Sequence, residues 1–142
     1  MNNIPIYPNK QTLRIDPNVN LLFPELSYRL MGILFKVHNE LGSHYQEKYY
    51  QRAIERALEE ERITFEKEKM IPLEFHGKSI GKYFLDFVIE RKIALEIKTI
   101  DFFKKREWNQ VRNYLKAAEL ELGILVNFNS DKLIYKRILC RL

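Results

Sequence analysis

The sequence predicts an α/β domain, with a mixed sheet carrying helices on its faces. Three observations predict it. Apolar residues recur at helical spacing over 24–41, and a second helical stripe with charged neighbours runs over 46–61. From Ile63 the pattern changes to strand-like runs parted by turn residues. A third helical stretch, 105–120, then precedes two further strand-like runs. The order is helix, helix, three strands, helix, two strands.

Each element has its own local reason. Residues 1–24 hold four of the five prolines among Asn and short apolar residues, and read as an irregular arm laid on the body by Ile4, Ile6, Tyr7 and Leu21 to Phe23. The arm is followed by a single domain over 25–142. Pro24 suits the first turn of a helix ending near Leu41, with Gly42 as its stop. Leu26, Leu30, Ile33, Leu34, Val37 and Leu41 make its apolar face. In the second helix Glu47, Tyr50, Ile54 and Leu58 share one face, so Glu47 begins the core-facing stripe. ITFEKEKMIPLEF reads as a long strand, HGKS as a turn, and IGKYFLDFVIE and KIALEIKTI as the second and third strands of a meander. Trp108, Val111, Leu115 and Ala118 form the apolar stripe of the third helix. LGILVNF is a fourth strand. KLIYKRIL is a fifth, placed at an edge by its lysines and arginine.

Composition narrows the function classes. The chain has 142 residues, 46% of them apolar, which is one domain's worth of core. A single cysteine, Cys140, excludes an internal disulfide framework and a multi-cysteine metal site. No apolar run approaches the ~20 residues that span a bilayer. The start, MNNIPIYPNK, lacks the layout of a secretory signal, so a cytoplasmic setting is expected. No glycine-rich nucleotide-binding loop is present, so ATP-driven work would need a partner. Lys and Arg total 24 against 19 Asp and Glu, and a formal charge of +5 suits an anionic partner without demanding one.

The chemistry concentrates on the second and third strands. Glu96 and Lys98 lie two apart in an otherwise apolar run, so they share a face at ~6–7 Å. Asp86 is a lone carboxylate among apolar neighbours. If the two strands form a hairpin around Glu90-Arg91, Asp86 comes within about one residue of Glu96. A buried charge is costly unless paired or metal-bound. The group therefore reads either as an ion triad bridged by Lys98 or as a site where hard oxygens hold Mg²⁺. Glu47 is a third carboxylate, or simply a first-turn glutamate favoured by the helix dipole. Gln110 and Tyr114 stack four apart at the edge of the third helix's stripe, and read either as side chains reaching a cleft or as an ordinary boundary pair. Lys104, Lys105, Arg106, Arg112 and Lys116 make a local basic concentration suited to a phosphate backbone, or a solvated helix face.

Asp86 followed by Glu96-Ile97-Lys98 on successive strands resembles the D…(D/E)xK signature of the PD-(D/E)XK nuclease superfamily. Gln110-x-x-x-Tyr114 resembles the QxxxY motif of its exonuclease-like branch. From about Leu26 to Leu139 the chain resembles a GxxExxY family protein through VHNELG, Glu47-x-x-Tyr50, the HGKSIGKYFLDFVIE hairpin, ALEIKTI, QVRNYL, LGILVNF and Lys136-Arg137. Leu85 stands where many members have proline. His44 stands where the family's name describes a glycine, so the loop either tolerates histidine, bends differently, or turns His44 to the cleft.

The resemblance implies a restriction-endonuclease-like core. Asp86 and Glu96, the Ile97 carbonyl and Glu47 would ligate Mg²⁺ or Mn²⁺. Glu47 would alternatively orient the water, and Lys98 would stabilise the phosphorus centre. Gln110 and Tyr114 would steady the substrate strand or Lys98, and the basic Lys104, Lys105 and Arg112 would bind the substrate. The expected function is a metal-dependent phosphodiesterase acting on nucleic acid, DNA above all. The alternative is an inactive nucleic-acid-binding or assembly module on the same fold. A homodimer through the exposed last strand is among the expected partners, and a membrane is not.

Overall fold

The computed structural model describes residues 22–141. Within them the chain forms α1 (Pro24–Leu41), α2 (Glu47–Glu60), β1 (Phe65–Phe75), β2 (Lys78–Ile89), β3 (Ile93–Lys98), α3 (Lys105–Ala118), β4 (Leu122–Asn127) and β5 (Ile134–Leu139). This is the α/β architecture that the sequence predicts. Most of the arm expected over 1–24 lies outside the described residues. Leu22 and Phe23 do pack against the core, and Pro24 already belongs to α1.

The described strands make one mixed sheet, in the order β1-β2-β3-β4-β5. Neighbours are antiparallel except β3 and β4, which run parallel. A parallel pair needs a crossover, and α3 supplies it. β5 sits at an edge, as its charged residues predict.

Two apolar layers cover the sheet. On one side α1 and α2 bury Leu30, Ile33, Leu34, Tyr50, Ile54 and Leu58 against Phe87, Ile89, Ile93, Leu95 and Ile97. On the other, Val111 and Leu115 of α3 pack on Leu85, Val88, Ala94 and Leu125. β3 is buried on both faces, which explains its nearly unbroken apolar run.

α3 approaches β4 closely because position 123 has no side chain. A Cβ there would stand 3.0 Å from Val111 Cγ1 and 3.2 Å from Leu115 Cδ1. This approach also corrects the expected stripe of α3. Val111 and Leu115 fill the contact, while Trp108 stays 41% exposed at the β5 side, with the Lys136 ammonium 6.0 Å from its ring centre.

The loop between α1 and α2 sets where α2 begins. Gly42 closes α1 at φ 72°, ψ −165°, backbone that essentially only glycine adopts, and its N–H bonds the His38 carbonyl at 2.8 Å. Tyr50 is fully buried, stacked on Phe128 at 4.4 Å between ring centres. Its hydroxyl donates to the Gly42 carbonyl (2.6 Å) and accepts from the Tyr45 N–H (3.2 Å). One side chain thus fixes both ends of the loop that leads to Glu47.

Gly123→Val should overpack the contact between α3 and β4. The expected loss is about 1–3 kcal/mol of unfolding free energy, read as a lower midpoint in urea with unchanged slope.

Candidate active site

The β2–β3 hairpin is closed by a tight turn in which Glu90 and Arg91 both take left-handed angles (φ 48° and 58°) and the Lys92 N–H bonds the Ile89 carbonyl at 2.9 Å. From there the ladder runs through Ile89↔Ile93 and Val88↔Ala94 to Phe87↔Leu95, and stops. The next pair in register would be Asp86 and Glu96. β2 continues alongside β1, and β3 continues alongside β4 to Lys98↔Asn127. The two strands therefore part as a fork.

Two peptide N–H groups face the fork, and carboxylates take both. The Asp86 N–H donates to Glu96 Oε1 (2.9 Å), and the Ile97 N–H donates to Asp86 Oδ2 (2.8 Å). Each acid is anchored to the opposite strand. In a strand a residue's carbonyl lies on the same side as its N–H, so the Ile97 carbonyl also faces this gap.

β2 turns as it enters the fork. Leu85 and Val88 lie in the same core layer, although strict alternation would place residues three apart on opposite faces. The strand breaks phase at Asp86. Across from it on β1, Glu68 takes a left-handed φ of 50° and drops out of the ladder between Lys67↔Phe87 and Lys69↔Leu85. The turn brings Asp86 to the side of α2. There Gln51 Nε2 donates to Asp86 Oδ1 (3.2 Å) and to Glu47 Oε1 (3.3 Å). Gln51 was not among the residues singled out from sequence. Its signal was its place four residues after Glu47, on the same helix face.

The acids share an electrostatic environment. Burial first, then the Asp86 charge, pushes the Glu96 carboxyl up to about 8. Burial also raises Asp86, opposed by the Ile97 N–H and Lys98, and helped by the nearby Glu68. Glu47 rises through burial and the Asp86 charge, with Lys98 opposing. Lys98 thus lies close enough to favour all three anions. Yet the ion pairs among the described residues are Arg29–Glu61, Arg56–Glu60, Lys67–Glu55 and Lys69–Glu66. The triad bridged by Lys98 is not formed, and among the described residues no carboxylate lies within 4.0 Å of its ammonium.

The position of Lys98 is held from behind. Its carbonyl accepts the Phe128 N–H at 3.0 Å. Fully buried Asn127 bonds the Ile100 N–H, the Ile100 carbonyl and the Asn129 N–H at 2.7–3.1 Å. These bonds pin the chain leaving β3.

The residues of α3 divide. Tyr114 stacks on Tyr83 of β2 at 3.9 Å, and the Tyr83 hydroxyl donates to the Tyr114 carbonyl at 2.8 Å. The Tyr83 hydroxyl's pKa is raised by burial, then Tyr114, then Glu96, which places this stack beside the acids. Gln110 is half-buried near the Tyr114 side, and no described side chain hydrogen-bonds it. At about 100° per residue, Lys105 and Arg112 project near Trp108, on the opposite flank. Both are exposed. Lys104 precedes the helix, its N–H bonded to Glu107 Oε2 at 2.8 Å and its ammonium over Phe102. His44 is exposed at φ 76°, so histidine holds the left-handed angle that a glycine would hold without strain.

The donor set suits a hard cation. Among the described residues no three His, Cys, Asp or Glu side chains converge as a ready-made cage. Mg²⁺ needs none, since it keeps several waters and uses one or two carboxylates plus substrate phosphate. Asp86 and Glu96, with the Ile97 carbonyl, are such a set, and the buried Glu96 would be held ionised by a cation. The amide of Gln51 stands between Asp86 and Glu47. Two surface hollows, of about 400 and 450 Å³, lie instead by the Glu90-Arg91 turn and include none of these residues.

The sequence pattern of the PD-(D/E)XK nuclease superfamily matches residues 24–138. Among solved structures, the crystal structure of SSO0001 is 25% identical with a TM-score of 0.54, covering 67% of this chain and 50% of that one. The chain thus spans half the length of that protein. The crystal structure of an alkaline exonuclease from Laribacter hongkongensis is 12% identical with a TM-score of 0.49, covering 87% of this chain and 73% of that one. No curated protein matches.

Two outcomes are expected. His44→Gly relieves the left-handed strain and should raise stability by about 1 kcal/mol, read by urea unfolding. Glu96 has a folded pKa raised from 4.5 to about 8, so its neutral form favours the fold. In metal-free buffer that contribution is complete below about pH 4.5 and is lost as pH climbs through about 8. Glu96→Gln should therefore gain stability relative to wild type across that window, and a flat difference would show that Glu96 folds as an anion.

Proposed function

The chain belongs to the PD-(D/E)XK nuclease superfamily, and on that premise we propose that it is a metal-dependent nuclease hydrolysing phosphodiester bonds in nucleic acid, DNA above all. Its motifs, including Glu47-x-x-Tyr50, support a finer assignment to the GxxExxY branch as part of this proposal, with His44 standing where the glycine would be. The observation that carries the reading is the fork, with two anchored acids beside a lysine whose charge favours both of them and whose ammonium has no described carboxylate within 4.0 Å.

Asp86, Glu96 and the Ile97 carbonyl would hold Mg²⁺ or Mn²⁺, with Glu47 joining them or orienting water. A bound divalent cation supplies neutralisation of phosphate charge and a more acidic water. The chain's own residues do the rest. Glu47, raised by burial and its neighbours, accepts the water proton as the new P–O bond forms. The Lys98 ammonium donates to a phosphate oxygen where negative charge grows. The old ester bond breaks, its oxygen takes a proton from solvent water while Glu47 returns its own to solvent, and an alcohol and a phosphate monoester are left. Gln110 and Tyr114 steady the strand from α3, and Lys104, Lys105 and Arg112 hold more distant phosphates. No helix of the described residues is long and apolar enough to cross a membrane, in keeping with a cytoplasmic setting. A second copy pairing along β5, the last strand of the described sheet, is part of the proposal.

The test is calorimetric titration of Mn²⁺ with a pooled DNA and RNA cleavage assay. Wild type should bind Mn²⁺ stoichiometrically and cleave. Asp86→Asn should lose both, and Lys98→Ala should bind while cleaving at least about 100-fold more slowly. Binding of nucleic acid with no metal-dependent product in any arm would favour the inactive-module reading.

A further inference from the structure

Each chain leaving the fork carries an exposed phenylalanine with a lysine over its ring. On β2, Phe84 lies two residues before Asp86. Tyr83 and Leu85 on either side of it pack towards α3, so Phe84 points to the other face, the side from which Gln51 reaches Asp86. Its side chain is 53% exposed, it is in register with the equally exposed Met70 of β1, and the Lys82 ammonium stands 6.0 Å from the ring centre. On the other prong, Phe102 lies four residues beyond Lys98, in the segment that Asn127 pins through Ile100. It is 63% exposed, with the Lys104 ammonium 5.7 Å from its ring centre. The next residue, Phe103, packs inward against the α3-side core, so Phe102 is turned outward.

An apolar ring exposed beside a cation at one prong is unremarkable. The same pair on both prongs, flanking the acids, points to one kind of ligand. Unpaired nucleobases stack on aromatic faces while their phosphates meet cations. A duplex hides its base faces and offers phosphates and groove edges, on which a ring cannot stack. We infer that the fork takes an unpaired, single-stranded nucleic acid, with one base stacked on Phe84 and another on Phe102, on either side of the phosphate to be cut. This deepens the nuclease reading and rests on it.

The test is binding without turnover. Fluorescence anisotropy would compare a mixed-sequence 12-nucleotide strand, as DNA and as RNA, with the same sequence as a duplex, using Lys98→Ala protein and versions of it altered at 84 or 102. The single strand should bind at least about tenfold more tightly than the duplex. Phe84→Ala and Phe102→Ala should each weaken single-strand binding about tenfold, leave duplex binding alone, and be rescued by Trp. Lys82→Ala should reduce the salt slope by about 0.7. Equal affinity for duplex, or unchanged single-strand binding in both alanine variants, would overturn the inference. So would a fall in sedimentation mass on Phe84→Ala, which would make that face a contact between copies. The nuclease reading fails separately. If wild type never cleaves but the phenylalanine dependence holds, the platform stands and the reaction falls. If wild type cleaves and the dependence is missing, the reverse is true.

Discussion

Where β2 and β3 part, the N–H groups of Asp86 and Ile97 face a gap with no strand carbonyl to receive them. A buried donor left unpaired costs about 1–3 kcal/mol, so the gap persists only if something answers them. The carboxylates of Glu96 and Asp86 do, each across the fork. The acids therefore have two duties in one geometry. They close the hydrogen-bond accounts of a sheet that splits, and they present their remaining oxygens where it has split. Their pKa values are raised by burial, against the pull of the same anchoring N–H bonds, which lower them.

Much of the remaining fold keeps that gap supplied with neighbours. Tyr50 ties the α1–α2 loop to Phe128 and fixes where α2 starts, and so where Glu47 and Gln51 sit. Asn127 holds the chain beyond Lys98. Gly123 lets α3 settle against β4, and with it the Tyr114–Tyr83 stack beside Glu96. None of these residues carries a charge. Each is buried or in close contact, and each acts on the site by setting the position of a backbone segment.

The elements were legible because their periodicities are plain, and all eight begin and end within a few residues of the expected ranges. The meeting of Asp86 and Glu96 was legible as well, since a turn at Glu90-Arg91 fixes the count between them. The phase break at Asp86 was not. It depends on left-handed backbone at Glu68, and glutamate is not a residue type that announces such an angle. Trp108 misled because its spacing suits the buried stripe. What decides its exposure is the missing side chain at 123, which draws the helix inward at Val111 and Leu115 and leaves the indole at the rim. Gln51 had the right spacing but the look of an ordinary surface amide. The open state of Lys98 depends on distances that no pattern encodes.

The turn at Glu90-Arg91 has a further consequence. Strand side chains alternate with a period of two, so the turn sets the parity of everything that follows it. A slip of β3 by one residue in its pairing would exchange its faces, turning Glu96 and Lys98 towards α1 and α2 and Leu95 and Ile97 away from them. A change of two would restore the faces. The site's address is thus written in the evenness of a count, and the turn guards it by holding the register.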